Sequence, residues 1–415
     1  MALSNLETIL VDQLELGMVV HGIAEQNGKL VVKSKGTVKH LAIINQLQSN
    51  GVISVFVERH DEAKRASNES HANTRQVTPL NTNSPLQKLK QQKQKRAKQK
   101  ASQQNRVPKT FSLELEQAAA LINKSHAIHK QYTQNIKKGL NIELDDARNI
   151  MCEVYDSLAR NPNALLCLSL IMNHNDYLAK HAVHVAILMC YMAQRMDMSE
   201  ADCERLGLLG YFFDIGMTKV PAHILSKAIA LSQDEKVLVK SHVNDSLNMV
   251  KPLKLDSEIL LAIEQHHERL DGSGYPNGYS GSKISKFSRM LAIADTYDAL
   301  TSDRAFQQAK SPTAAMKILN TADNGYDQKL VLQFVRYLGV YPVGSLVMLS
   351  NKRIALVIEN NLQKPSEPTV KVFYSAIGGH YLAPKVLNLT QYSEQIKVQK
   401  PVLASQYNLD LEKVL

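Results

Sequence analysis

The longest continuous pattern in this chain is helical and runs from residue 112 to 338. Apolar residues recur there at a spacing near 3.6, as in VHVAILMCYMAQRM (183–196). Helix-start signals such as Asn161-Pro162 and Ser232-x-x-Glu235 divide the stretch into segments. A core built on such segments has to be a packed set of helices. We therefore expect a mainly α protein to which smaller modules are added.

Two flanking regions have different patterns. Residues 9 to 58 combine strand-like runs, a turn signal at Asn27-Gly28 and one helical run, and residues 342 to 395 contain strand-like runs such as IALVIE (354–359). These changes predict five parts: a small mixed α/β N-terminal module (1–61), a basic polar linker (62–111), a helical connector (112–164), a helical domain (165–340) and a small β module with a C-terminal tail (341–415).

The net charge of +10 comes from one segment. Residues 70 to 113 contain ten lysines and arginines and no acidic residue, so the rest of the chain sums to zero. Such a segment could contact anionic lipid or nucleic acid. No aromatic residue stands between Glu58 and Pro108 that could stack on a base. This favours a solvated spacer and weighs against a nucleic-acid partner.

Composition limits the cellular setting. No apolar run reaches the ~18 to 20 residues that a membrane-spanning helix needs. The N-terminal residues lack the pattern of a secretory signal, and the four cysteines form no CxxC pair. We therefore expect reduced thiols, no transmembrane segment and a cytoplasmic location.

Several residues of the helical stretch are of metal-ligating types. Imidazoles and carboxylates suit Mn, Fe, Zn and related ions. A single histidine is more often a core or surface residue than a ligand, so the argument depends on the set and its order. The set comprises His181, Asp214, His242, His266, His267 and Asp295.

Two segments resemble a known family. HHERLDGSGYP (266–276) and AIADTYDALTSDR (292–304) are similar to the signatures of HD-GYP domains, the cyclic di-GMP phosphodiesterase branch of the HD metal-dependent phosphohydrolases. Residues 9 to 61 resemble the small domain of unknown function that often precedes HD-GYP domains in bacteria. The resemblance implies an HD-type helical bundle, divalent metal ions (Fe or Mn) and cyclic di-GMP as ligand.

The resemblance also implies roles for individual residues. His181, Asp214 and Asp295 would bind a first ion, and Asp214 would bridge it to a second. The second ion would be held by His242, His266 and His267. The ions would activate water and offset the charge of a phosphodiester, with Asp214 as the catalytic residue. Substrate contacts would come from the clamp Arg304 and from the Gly274-Tyr275-Pro276 loop, which could alternatively dock a protein partner.

The sequence departs from the family at the HD pair itself, where Phe213 precedes Asp214 and the family has histidine. Met217 and Gln307 replace two cations that the family directs at the phosphate, and Tyr177 replaces a ligand of an optional third ion. His184 and Lys219 could substitute for the lost ligand and the lost cation. We therefore expect one firmly bound ion, weak occupancy of the other and low turnover.

Three functions remain open at this point. The first is a cyclic di-GMP signalling protein with a degenerate site, which acts by binding the ligand or a partner such as a diguanylate cyclase. The second is a working phosphodiesterase that produces pGpG or GMP. The third is a nucleic-acid or membrane adaptor that uses the basic linker. A homodimer is compatible with each of them.

Overall fold

The computed structural model divides the chain into two compact units, Met1–Asn83 and Ser84–Leu415. The predicted linker core, the Asn27-Gly28 turn, Arg304 and Gln307 lie outside the described residues. The described residues are 6–11, 14, 18–26, 36–38, 41–49, 51–58, 106–140, 142–172, 176–303, 308–321, 324–411 and 413–414.

The first unit contains an antiparallel sheet in the order β1-β4-β2-β3. Its elements are β1 (Leu6–Leu10), β2 (Val19–Gln26), β3 (Gly36–Thr37), α1 (Leu41–Ser49) and β4 (Val52–Glu58). Alternate residues of β4 face inward, so that Val55 and Val57 are buried together with Ile44 and Leu47 of α1. The mixed α/β character predicted for this region is confirmed.

The second unit is mainly helical, as predicted. Its helices are α2 (Phe111–Lys137), α3 (Asp145–Arg160), α4 (Pro162–Ile171), α5 (Tyr177–Arg195), α6 (Glu200–Phe212), α7 (Ala222–Leu225), α8 (Gln233–Lys240), α9 (His242–Val250), α10 (Ser257–Gln265), α11 (Lys286–Thr301), α12 (Pro312–Leu319) and α13 (Gln328–Leu338). The predicted starts hold: Asn161 caps α4 with Pro162 at its first position, and Ser232 and Glu235 form a capping box on α8.

Helix α5 is the centre of the helical body. Every residue from Val183 to Ala193 is buried, so the helix has no solvent-facing side over this range. Helix α6 crosses it closely, because an added Cβ at Gly210 would lie 2.7 Å from the Ala186 Cα. This close crossing brings the residues that follow α6 next to the first turns of α5.

A five-stranded antiparallel sheet follows the helices, in the order β8-β7-β6-β5-β9. Its strands are β5 (Leu346–Leu349), β6 (Arg353–Glu359), β7 (Thr369–Ser375), β8 (His380–Asn388) and β9 (Val398–Val402). One face packs Leu356 and Phe373 against Cys167 and Ile171 of α4. The small C-terminal β module that the sequence predicted is thus joined to the helical body.

Within the described residues, no helix combines the length and the apolar character that a bilayer crossing requires.

Candidate metal centre

Five segments of the second unit bring the predicted ligands together. His181 lies on α5, and Asp214 follows α6 at the start of a 3₁₀ turn (Ile215–Lys219). His242 is the first residue of α9, while the adjacent pair His266 and His267 follows α10 directly. Asp295 lies on α11. Helix ends supply most of these positions, which fixes the side chains on rigid elements.

Three imidazoles form the tightest group. Ligand atoms of His242, His266 and His267 all lie within 4.8 Å of one another. His242 Nδ1 donates to the Val239 carbonyl and His266 Nδ1 to the Ile263 carbonyl, each at 2.6 Å. Because a carbonyl only accepts, each Nδ1 carries the proton, and in a neutral ring Nε2 then has a free lone pair.

The lone pairs of His242 and His266 face one another. The Nε2 atoms of His242 and His266 are 3.2 Å apart. Burial lowers the pKa of His266 to about 3 and holds the pKa of His267 well below its usual value, so these two rings are neutral near pH 7. Two acceptors at this distance repel unless a cation lies between them. The donor set therefore fits a divalent metal ion with imidazole ligands.

A second group adjoins the trio. His181 Nε2 lies 3.1 Å from Asp295 Oδ1 and 3.9 Å from Asp214 Oδ2. The other oxygen of Asp214 is 3.2 Å from His242 Nε2. Asp214 thus stands between the two groups, the position that the resemblance implies for a bridging ligand. One imidazole and two carboxylates are chemically suited to a second ion.

Burial disfavours a charged His181, but the carboxylates of Asp298 and Asp295 outweigh it and raise its pKa to about 10. The pKa of Asp295 is correspondingly held below its ordinary value although burial opposes this. These carboxylates favour the protonated imidazole, whose Nε2–H would face Asp295. A metal ion at Nε2 would take the place of that proton.

Asp298 was not identified from the sequence as a site residue. It is fully buried, and its two oxygens accept hydrogen bonds from the Nδ1 atoms of His181 and His184. This contact directs His181 Nε2 toward Asp214 and Asp295. The available signal was its spacing, since it lies three residues after Asp295 on the same face of α11.

His184 and Lys219, the two residues that could substitute for the lost ligand and the lost cation, contact other carboxylates. His184 is buried and contacts Asp298 through Nδ1. The ammonium of Lys219 is half exposed and pairs with Asp245 Oδ1 at 2.8 Å. Neither contact places the side chain among the groups that converge around Asp214.

Phe213 fills the position beside Asp214 and is 0% exposed. Its ring centroid is 5.6 Å from that of His181 and 5.1 Å from that of His266, which it meets edge-on. The apolar ring therefore lies between a histidine of one group and a histidine of the other. No atom of this side chain can ligate a metal.

The Gly274-Tyr275-Pro276 loop forms one wall of the centre. An added Cβ at Gly274 would lie 2.4 Å from the Glu268 Cα, so only glycine fits there. The Tyr275 ring stacks on His267 with centroids 4.6 Å apart. Buried Glu268, which the sequence reasoning did not single out, accepts the N–H groups of Asn277 at 2.7 Å and Tyr279 at 3.0 Å. The loop thereby orients His267.

Two family models match this chain. Residues 166–330 match the family described as HD domain, and residues 6–147 match the domain of unknown function DUF3391. The second match extends past residue 61 and includes α2.

Curated relatives match in part. The chain is 33% identical over 264 residues to the cyclic di-GMP phosphodiesterase PA4108 of Pseudomonas aeruginosa, covering 63% of this chain and 64% of that protein. It is 25% identical over 196 residues to the cyclic di-GMP phosphodiesterase PdeB of Borreliella burgdorferi, covering 47% and 52%. The matches thus span less than two thirds of these relatives.

Among solved structures, Bd1817, an HDGYP protein from Bdellovibrio bacteriovorus, aligns with a TM-score of 0.46 and 14% identity over 80% of this chain and 98% of that one. The chain contains an HD domain with an N-terminal DUF3391 domain and is a homologue of the cyclic di-GMP phosphodiesterases of HD-GYP type.

Proposed function

We propose that this protein is a cyclic di-GMP signalling protein whose HD domain binds a divalent ion, Fe or Mn, and the cyclic dinucleotide, with turnover that is weak or lost. It then acts by binding the ligand or a protein partner such as a diguanylate cyclase. The observation that carries the proposal is Phe213. Its buried ring stands between the His181 group and the His266 group, next to the bridging position of Asp214.

The histidine trio supports firm binding of one ion. His242 and His266 are held by backbone carbonyls and His267 is held by Tyr275, so their lone pairs are oriented before a metal arrives. A bound divalent ion supplies Lewis-acid polarisation of a phosphodiester and activation of water. Asp214 would add a carboxylate to this set.

The group around His181 should bind a metal ion more weakly than the histidine trio does. It offers one imidazole and two carboxylates, and the position beside them is filled by an aromatic ring. Loss of even an outer partner of a metal ligand lowers affinity or activity ~10 to 100-fold, so loss of a direct ligand should reduce turnover further.

The test compares metal content, cyclic di-GMP binding and cyclic di-GMP hydrolysis in the full chain loaded anaerobically with Mn or Fe. The variants are Phe213→His, Asp214→Ala and, as a matched apolar control, Phe213→Leu. We expect about one tightly bound ion in the wild type and in Phe213→Leu, consistent with one intact ligand group. Phe213→His should bind a second ion and turn over faster.

Two results would contradict the proposal. If the wild type hydrolyses cyclic di-GMP at a rate that Phe213→His does not exceed and that Asp214→Ala abolishes, the protein is a working phosphodiesterase. If neither the metal nor the dinucleotide binds to the wild type, the HD domain serves a purpose other than cyclic di-GMP signalling.

A further inference from the structure

Helix α2 contacts the end of α6 through residues on one of its faces. We infer that His129 of α2, together with Tyr211 of α6, positions Asp214 and thereby sets the metal affinity of the centre. The inference rests on the proposed function, because it assigns a role to residues that act through a proposed ligand. Both are positioning residues, since neither is among the groups that converge on the metal centre.

Two hydrogen bonds join the helices at one residue. His129 Nε2 lies 3.1 Å from the Tyr211 carbonyl oxygen, and because that oxygen only accepts, Nε2 carries the proton. The Tyr211 hydroxyl donates to the Ser125 carbonyl at 2.5 Å. The rings of His129 and Tyr211 also meet edge-on, with centroids 4.9 Å apart. Tyr211 is therefore held at its backbone and at its side chain by the same helix.

The carbonyl that His129 contacts belongs to the last turn of α6, which ends at Phe212. Carbonyls of a final helical turn have no N–H partner within the helix and need one from outside. His129 is buried and supplies that donor. The contact is thus a helix cap provided by a separate helix, and it fixes the direction in which the chain leaves α6.

Asp214 is the third residue after Tyr211. The next residue in the path, Phe212, stacks on Tyr132 of α2 with centroids 5.7 Å apart. Phe213 is buried against His181 and His266. Tyr211 and Phe212 are held by α2, and Phe213 is enclosed by the centre. The contacts of α2 therefore help to set the backbone path that leads to Asp214.

The DUF3391 match ends at residue 147 and so includes α2, although α2 belongs to the second compact unit. Helix α2 therefore lies in the C-terminal part of the DUF3391 match, and its side chains contact the residues that precede Asp214. A shift of α2 along or about its axis would alter the geometry of the ligand set without any change in the ligands.

The experiment measures Mn²⁺ affinity and thermal stability of the full chain. His129→Leu removes the donor, whereas His129→Gln keeps an N–H donor of similar reach. Tyr211→Phe removes only the bond to Ser125. Ser157→Ala is the matched control, because Ser157 donates to Glu114 Oε1 at 2.8 Å at the other end of α2.

We expect His129→Leu to weaken Mn²⁺ binding about tenfold, the lower end of the loss seen when outer partners of metal ligands are removed. His129→Gln should bind Mn²⁺ more tightly than His129→Leu, because it keeps the donor. Ser157→Ala should lower thermal stability but leave Mn²⁺ affinity unchanged. Tyr211→Phe should weaken Mn²⁺ binding as well, which keeps the test decisive if His129→Leu does not fold.

The variant Asp214→Ala distinguishes a failure of the positioning role of α2 from a failure of the proposed metal site. If it weakens Mn²⁺ binding while His129→Leu and Tyr211→Phe do not, the positioning role is wrong and the proposed site stands. If Ser157→Ala weakens Mn²⁺ binding as much as His129→Leu does, α2 acts only through overall stability and the inference is also wrong. If Asp214→Ala has no effect on Mn²⁺ binding, Asp214 is not a ligand and the inference is wrong. If the wild type binds no Mn²⁺, the proposed site itself fails.

Discussion

Asp298 holds two imidazoles with one carboxylate. Its oxygens accept from Nδ1 of His181 and of His184, and its pKa is held below the ordinary value by these histidines although burial opposes this. A fully buried carboxylate is tolerated because both oxygens are occupied. The arrangement fixes the orientation of His181 independently of any metal.

We predict that Asp298→Asn weakens metal binding at the group around His181 ~10 to 100-fold, because an amide cannot accept from both histidines and His181 loses its fixed orientation. Titration with Mn²⁺ measures the effect. Asp234→Asn is the control, since Asp234 lies exposed in the first turn of α8. Equal affinity in Asp298→Asn and the wild type would show that His181 is oriented by packing alone.

The sequence singled out some residues of the candidate site and missed others. The proposed ligands were singled out because imidazoles and carboxylates stood in recognisable segments, such as HHERLDGSGYP. Asp298, Glu268 and His129 were not predicted. Asp298 and His129 act on partners distant in sequence: His129 and Tyr211 are 82 residues apart, and Asp298 and His181 are 117 apart. The three-residue spacing from Asp295 was a signal for Asp298, but no periodicity indicates the contact of His129 with Tyr211.

Among the helices, α2 and α6 form a contact with its own pH dependence. Burial lowers the pKa of His129 to about 4, while its ordinary value is 6.5. The unfolded chain therefore binds more protons than the folded chain between these values. Stability contributed by this group is present above pH 6.5 and is lost as the pH falls toward 4, by roughly 3 kcal/mol in all.

We predict that the metal-free wild type loses more unfolding free energy between pH 7 and pH 4.5 than His129→Gln does. Other groups contribute equally to both proteins: His266 has the same sign, and His181, whose pKa is raised to about 10, contributes stability that is lost only as the pH rises above 6.5. Urea unfolding at a series of pH values gives the difference. Parallel profiles would contradict the prediction.

The elements themselves were the most predictable level of the structure. Ser232 and Glu235 capped α8 as their spacing indicated, because capping is a local interaction. The complete burial of α5 was less predictable. Its apolar residues recur with helical spacing, but only the packing of α6 and the other helices around it covers every side.

In the second unit as a whole, the C-terminal sheet shares a core with the helical body. Leu356 of β6 is 0% exposed and belongs to the same apolar cluster as Cys167 and Ile171 of α4. Burial of this kind couples the two parts energetically. They should therefore unfold together.

We predict that Leu356→Ala lowers the unfolding free energy of the helices as well as of the sheet, by about 2 to 5 kcal/mol. Circular dichroism at the helical band follows the transition during urea unfolding. Val386→Ala is the control, because Val386 of β8 is 56% exposed. A helical transition with an unchanged midpoint would mean that the sheet folds as an independent module.

The placement of the ligands along the chain has a consequence for synthesis. His181 and its orienting partner Asp298 are 117 residues apart, and α11 supplies both Asp295 and Asp298. A nascent chain folds from its N-terminal side as it emerges. The centre around His181 therefore cannot exist until the ribosome has passed residue 298, and a chain released before that point lacks the means to assemble it.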